Sequence, residues 1–173
     1  MIHPHTELKF INETKGHGVV ATQFIPKVTI TWTLDKLDKV LSPQEVKSIG
    51  AAYLELLHKY TYCDSQGGLV LCWDHARFIN HSFNSNCMST AYELELAIRD
   101  IQPGEELTDD YGYLNVIEPT EYPAETGSPR RCVYPNDILI YHSSWDQLAL
   151  ASILDCHYKN VPSITRGLTS WAS

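Results

Sequence analysis

The amino-acid sequence predicts a β-rich mixed α+β domain, and three observations carry that reading. The front half breaks into short runs of alternating or β-branched residues separated by glycine and proline. One strong helical pattern interrupts those runs after Leu41. A second, weaker helical pattern follows near the C-terminus. A chain of 173 residues is expected to form about one domain. Its 43% apolar residues exceed what a disordered chain carries, so a core can form without disulfides or metal.

The strands come first. Glu7–Ile11, Val19–Phe24 and Val28–Thr33 are bounded by Gly16, Gly18 and Pro26. Ser42-Pro43-Gln44-Glu45 reads as a capping box with proline in the first turn. Val46, Ile49, Tyr53, Leu56, Leu57 and Tyr60 then recur on one face, predicting a single inserted helix. Tyr60–Cys63 and Leu69–Trp73 flank Ser65-Gln66-Gly67-Gly68 and predict a hairpin. Glu93 to Ile98 alternates as a strand with one wet face. Glu118 to Pro129 holds three prolines and a glycine and reads as an irregular connection. Ser144-Trp145-Asp146-Gln147 predicts the start of a C-terminal helix carrying Leu148, Leu150, Ile153 and Leu154. The last ten residues are expected to be loosely held.

Composition excludes several classes. Lys and Arg number 13 against 21 Asp and Glu, a net charge of −8, which argues against direct nucleic-acid binding and suits a basic partner. No apolar run approaches the ~20 residues that span a bilayer, and Met1–Glu7 lacks the apolar core of a secretory signal peptide. Five scattered cysteines without CxxC spacing predict reduced thiols, hence a cytoplasmic or nuclear protein.

Three segments stand out. Gly16-His17-Gly18 is a GxG, too short for a dinucleotide fingerprint and by itself no more than a turn. Arg77-Phe78-Ile79-Asn80-His81-Ser82 places polar residues behind a short apolar run, which alone reads as a loop of Asx turns. His81 and Cys87 lack the surroundings of a cysteine-protease dyad. Glu105 to Tyr113 puts four carboxylates before two tyrosines, a solvated acidic turn entering a strand on the plainest account. That segment lacks the alternating ligands of a calcium loop, and spacing alone leaves glycosidase-type paired carboxylates open.

In this order the three segments resemble the SET-domain protein-lysine methyltransferases. Gly16-His17-Gly18 matches the family's GxG, Arg77 to Ser82 its RFINHS and Glu106 to Gly112 its ELxxDYG. The resemblance covers roughly residues 7 to 115. It implies a SET fold: short β-sheets around a pseudoknot, in which the segment of the DYG tyrosine threads beside the NHS segment. Residues 1–115 would form the SET domain, and 116–173 a C-terminal segment packing on it. S-adenosylmethionine is the implied cofactor, held by Gly16, His17, Gly18, Asn80 and His81. Tyr60, on the strand before the hairpin, falls where many members place a further cofactor contact. Tyr111 is the implied catalytic residue, and Tyr113, Asp109 and Ser89 line the substrate channel. The implied substrate is a lysine in a basic protein or peptide, with a histone among the candidates.

Two departures are visible. Family members with a zinc site behind the channel take its ligands from the residue after NHS and from a CxCGSPxC tail. Here those places hold Phe83, Ala124, Thr126 and Arg131, with Cys132 one residue out of register. No metal is expected, since a structural zinc needs four ligands. The segment 133–158, with Tyr134, Trp145 and its helix, is the candidate for closing the channel instead. The second departure is Asp109, where relatives carry an aromatic or apolar residue. An aspartate there can stabilise the lysine or point to solvent. A retired SET fold kept as a peptide-binding or assembly module is the competing reading.

Overall fold

The computed structural model describes residues 1–160, with side chains as far as Leu154. In chain order it contains β1 (Thr6–Asn12), β2 (Gly16–Ala21), β3 (Ile30–Thr33), β4 (Lys39–Leu41), α1 (Pro43–Ser48), α2 (Ala51–Tyr60), β5 (Thr61–Cys63) and β6 (Leu69–Leu71). There follow β7 (Asn80–His81), β8 (Cys87–Ser89), β9 (Leu94–Ala97), β10 (Glu106–Asp109), β11 (Thr120–Glu121), β12 (Cys132–Val133) and α3 (Asp137–Asn160). Single turns of 3-10 helix cover His75–Phe78 and Tyr111–Tyr113. The β-rich α+β expectation holds.

The strands form four small sheets, ordered β1-β2-β10-β7, β3-β9-β8, β4-β6-β5 and β11-β12. β1 and β2 are a hairpin with Thr6 opposite Ala21. β10 lies antiparallel to β2 on one side, with Leu107 opposite Val19. On its other side it runs parallel to β7, Thr108 beside Asn80 and Asp109 beside His81. The pairing of the NHS and DYG segments is therefore parallel and adjacent, as the resemblance implies. Val19, Ala21, Ile25, Cys87, Ala97, Ile101 and Leu107 form the core beneath these strands, none more than 1% exposed.

Several elements differ from expectation. The inserted helix is two helices. Its capping box is present, Ser42 and Glu45 bonding reciprocally, but Ile49 turns extended and Gly50 starts α2 without a side-chain cap. Glycine has little helical preference, and only Leu57 of α2 is buried, so tertiary packing does not hold the break closed. Tyr60 ends α2 and is not on the hairpin strand, which begins at Thr61. Val28 lies before β3 in a turn, at a φ of +70°. Gly16-His17-Gly18 is strand, not turn.

The C-terminal helix starts at Asp137, so Ser144 lies inside it. The Asn136 carbonyl accepts from the Leu139 and Ile140 N–H groups. The last ten residues, expected to be loosely held, lie outside the described residues.

Leu107 is the fully buried centre of this arrangement, on the strand that joins β2 to β7. Leu107→Ala is expected to destabilise the chain by about 2–5 kcal/mol, read as a lower urea midpoint. An unchanged midpoint would contradict the core described above.

Candidate active site

The site is assembled where β2, β7 and β10 meet. Gly18 explains why that strand carries a glycine. A Cβ there would sit 2.6 Å from Glu106 Oε1 and 2.9 Å from Asn80 Nδ2. The space is taken by a polar knot: Asn80 Nδ2 donates to the His17 carbonyl at 3.0 Å and to Glu106 Oε1 at 2.7 Å. Glu106 Oε2 in turn pairs with Lys15 at 2.8 Å. Asn80 thus ties β7 to β2 and β10 at one point. The His17 side chain remains exposed, with its ring edge-on to Phe10 and to Phe78. Tyr60 reaches the same corner through Phe78, with ring centroids 5.4 Å apart.

Tyr111 is held at two ends. Its N–H donates to His81 Nδ1 at 3.1 Å, and its hydroxyl donates to the Ile79 carbonyl at 2.6 Å. Both partners belong to the RFINHS segment, so that motif positions the tyrosine of the other. Burial, with smaller contributions from Tyr122 and Asp109, pushes the phenol up, and it stays protonated. His81 is buried, its ring 4.3 Å from Phe83 and 4.0 Å from Tyr122. Burial first, then the Arg130 charge, hold it down to about 3. A neutral ring that accepts at Nδ1 carries its proton on Nε2, and that atom is buried with no partner among the described residues.

Asp109 does not point to solvent. Ser89 Oγ donates to Asp109 Oδ2 at 2.6 Å, and Asp109 is 3% exposed. It faces Glu95, which accepts from Thr31 Oγ1 at 2.7 Å. Burial, then the neighbouring Glu95, push Asp109 well up, and burial raises Glu95. Two carboxyls in a dry interior do not both ionise readily, so each opposes the charge of the other. The β9 alternation therefore reads correctly in period but not in face, because Glu95 is on the buried side.

The tail lies across this assembly. Tyr113 packs on Trp145 of α3 with ring centroids 4.3 Å apart. Glu125 Oε2 accepts from Ser82 Oγ at 2.9 Å and from the Asn84 N–H at 3.3 Å, while Asn84 Nδ2 donates to the Thr126 carbonyl at 2.8 Å. Phe83 stacks on Arg130. Among the described residues no three His, Cys, Asp or Glu side chains gather to hold a metal. Tyr134 is half exposed.

Every site residue singled out in the sequence lies in or beside this assembly. The reading missed Glu95, Glu106, Tyr122, Glu125, Arg130 and Asp137. Glu106 stood inside a quoted motif, where its charge suggested surface. The others carried no local signal, because their partners are distant in the chain.

A threaded pair of motif strands around a buffered tyrosine defines a class. The SET domain family model matches residues 16–112, and the chain belongs to the SET-domain family. The chain is similar to the H3 lysine-36 specific histone-lysine N-methyltransferase of Mycosarcoma maydis, with 32% identity over 115 residues. That match covers 57% of this chain and 11% of the relative, so the chain spans about a tenth of that protein's length.

Two pH dependences follow. The unfolded chain protonates His81 near its ordinary 6.5, whereas the folded chain resists until about 3. The contribution of the neutral ring is complete above pH 6.5 and is lost as pH falls from there toward 3, by at most ~1.4 kcal/mol per pH unit. Replacing His81 by Gln should flatten that limb of an unfolding-midpoint profile. The carboxyl pair has the opposite sign. Its raised values mean that the folded chain keeps a proton which the unfolded chain gives up, so stability falls as pH rises past the ordinary carboxylate range. Asp109→Asn, which keeps an acceptor for Ser89, is expected to raise the urea midpoint at pH 8 and to raise it less at pH 5. A lower midpoint at pH 8 would rule out the strained pair.

Proposed function

We propose that this chain is a protein-lysine N-methyltransferase that takes its methyl group from S-adenosylmethionine. The observation that carries the reading is Tyr111, fastened by backbone and hydroxyl to the RFINHS segment and half-buried beside a neutral histidine. That anchoring fixes where the hydroxyl oxygen sits, which alignment of an amine requires.

The residues fit the cofactor on two observations. The exposed His17 lies beside Asn80, with Phe78 against its ring and Tyr60 against Phe78. The His81 Nε2–H is a buried donor without an acceptor among the described residues. Gly16, His17, Gly18, Asn80, His81 and Tyr60 are the residues that would hold it. Bound there, S-adenosylmethionine supplies a sulfonium-held methyl group, an electrophile that needs only an aligned amine.

Tyr111 then aligns the amine. Its hydroxyl proton is committed to the Ile79 carbonyl, so the oxygen is left to accept an N–H from the lysine and turn the nitrogen lone pair along the reaction axis. The lysine must arrive neutral, although its free pKa is about 10.4. A dry site disfavours the ammonium and lowers that value. The same dryness pushes the Tyr111 phenol up, so it neither ionises nor captures the methyl group. Tyr113, Asp109 and Ser89 are assigned to the lysine side. The net charge of −8 favours a basic protein substrate, and histone H3 is the first to try, because the similar fungal protein is named for H3 lysine 36.

Tyr111→Phe keeps the ring and removes the oxygen. Labelled methyl transfer to core histones is expected to fall about 10²-fold, with a loss of stability of about 1 kcal/mol. Near-parental turnover in the variant would remove Tyr111 from the mechanism. Absence of transfer by the parent chain to histones and to a basic ribosomal fraction, together with no cofactor binding by calorimetry, would overturn the enzyme reading.

A further inference from the structure

Arg130 sits where three stretches of chain converge. Its Nη1 pairs with Asp110, the residue before Tyr111, and its Nη2 with Asp137 at the start of α3, at 2.6 Å. The two carboxylate side chains are 3% and 2% exposed. The guanidinium also lies 4.6 Å from the ring of Phe83, in the turn after His81, and 4.6 Å from that of Tyr141 in α3. Arg130 therefore touches the NHS turn, the DYG turn and the C-terminal helix together.

The DYG turn is shaped around it. A Cβ on Gly112 would stand 2.9 Å from Arg130 Nη2 and 3.0 Å from Trp145 Cη2, so the glycine is what lets both approach. Asp110 meanwhile closes the turn itself: Oδ1 accepts from the Gly112 N–H at 2.9 Å, and its carbonyl accepts from the Tyr113 N–H at 3.0 Å. Asp137 Oδ2 accepts from the Tyr134 N–H at 3.1 Å. Two buried carboxylates next to one another repel, and only a cation between them makes the arrangement tolerable. A planar fork with five donors can serve both while stacking on aromatic faces, which a lysine ammonium cannot.

We propose that Arg130 is a positioning residue for the Tyr111 turn: by joining Asp110 to Asp137 it clamps the 110–113 turn against α3, and methyl transfer depends on that clamp although Arg130 touches no reacting atom. The kinetic half of this statement rests on the methyltransferase reading, and the structural half does not.

The test compares Arg130→Met, Arg130→Lys and Asp137→Asn with the parent chain. In Arg130→Met, the amides of residues 110–114 are expected to exchange hydrogen about tenfold faster, while those of the β1–β2 hairpin keep the parental rate. In the same variant, kcat for histone methylation is expected to fall by about tenfold to a hundredfold, with KM for S-adenosylmethionine within about threefold of the parent. A merely structural loss would lower the unfolding midpoint and leave kcat of the folded fraction alone. Arg130→Lys should recover only part of the rate, and Asp137→Asn, which keeps the Asp110 pair, should lose less than Arg130→Met. These two variants carry the same readouts if the methionine variant does not fold. Parental exchange at residues 110–114, or a kcat within about twofold of the parent, overturns the proposal. A parent chain that methylates nothing overturns the enzyme reading instead, and the exchange arm then decides the clamp by itself.

Discussion

The parallel pairing of β10 with β7 is the constraint on which the remainder of the structure depends. It joins only Thr108 to Asn80 and Asp109 to His81, yet each of those residues is committed elsewhere as well. Asn80 reaches sideways to His17 and Glu106, and His81 accepts the Tyr111 N–H. Ser82 donates its N–H to the Asp109 carbonyl, prolonging the contact. A parallel pair needs a long crossover, and here residues 82–107 supply it. Within that crossover, β8 and β9 bring Ser89 and Glu95 to the back of Asp109. The same connection that permits the pairing therefore builds the floor of the site.

A second theme is how an acidic chain uses its carboxylates. Glu95, Asp109, Asp110 and Asp137 are all 4% exposed or less. Each has a different solution to the cost of burial. Glu95 and Asp109 face one another, and burial raises both. Asp110 and Asp137 both pair with Arg130, which pulls against the rise that burial imposes on Asp110. The first solution suppresses ionisation of one carboxyl by the other, and the second places a cation between two acids. Both lie within two residues of Tyr111 in sequence or contact one that does. The electrostatics of the tyrosine's surroundings are consequently set by groups with no surface role.

The C-terminal segment reaches the candidate site through ordinary side-chain contacts. Glu125 is bonded to the Ser82–Asn84 turn, Phe83 stacks on Arg130, and Trp145 packs on Tyr113. Such contacts are individually modest: cation–π pairs are worth about 0.5–2 kcal/mol and aromatic pairs about 0.5–1.5 kcal/mol beyond their burial. Their joint effect comes from converging on one turn.

The sequence by itself determined the fold class and the family and pointed to the candidate site, because those rest on local signals. The glycines of Gly16-His17-Gly18, the RFINHS and ELxxDYG strings, the Ser42 capping box and the hairpin around Gly67-Gly68 all lie within a few residues of what they specify. Period was legible too, but not which side of the period faces inward. Alternation from Glu93 to Ile98 is the same whether Leu94 or Glu95 is buried, and only Thr31 and Asp109, arriving from β3 and β10, made the glutamate the inner residue. The helix break at Gly50, the start of α3 at Asp137 and the role of Arg130 were decided likewise by tertiary structure. An arginine in a tail announces nothing until Asp110, Asp137 and Phe83, up to 47 positions away, are folded around it. Long-range polar satisfaction has no sequence period, and that is why the tertiary structure alone could assign it.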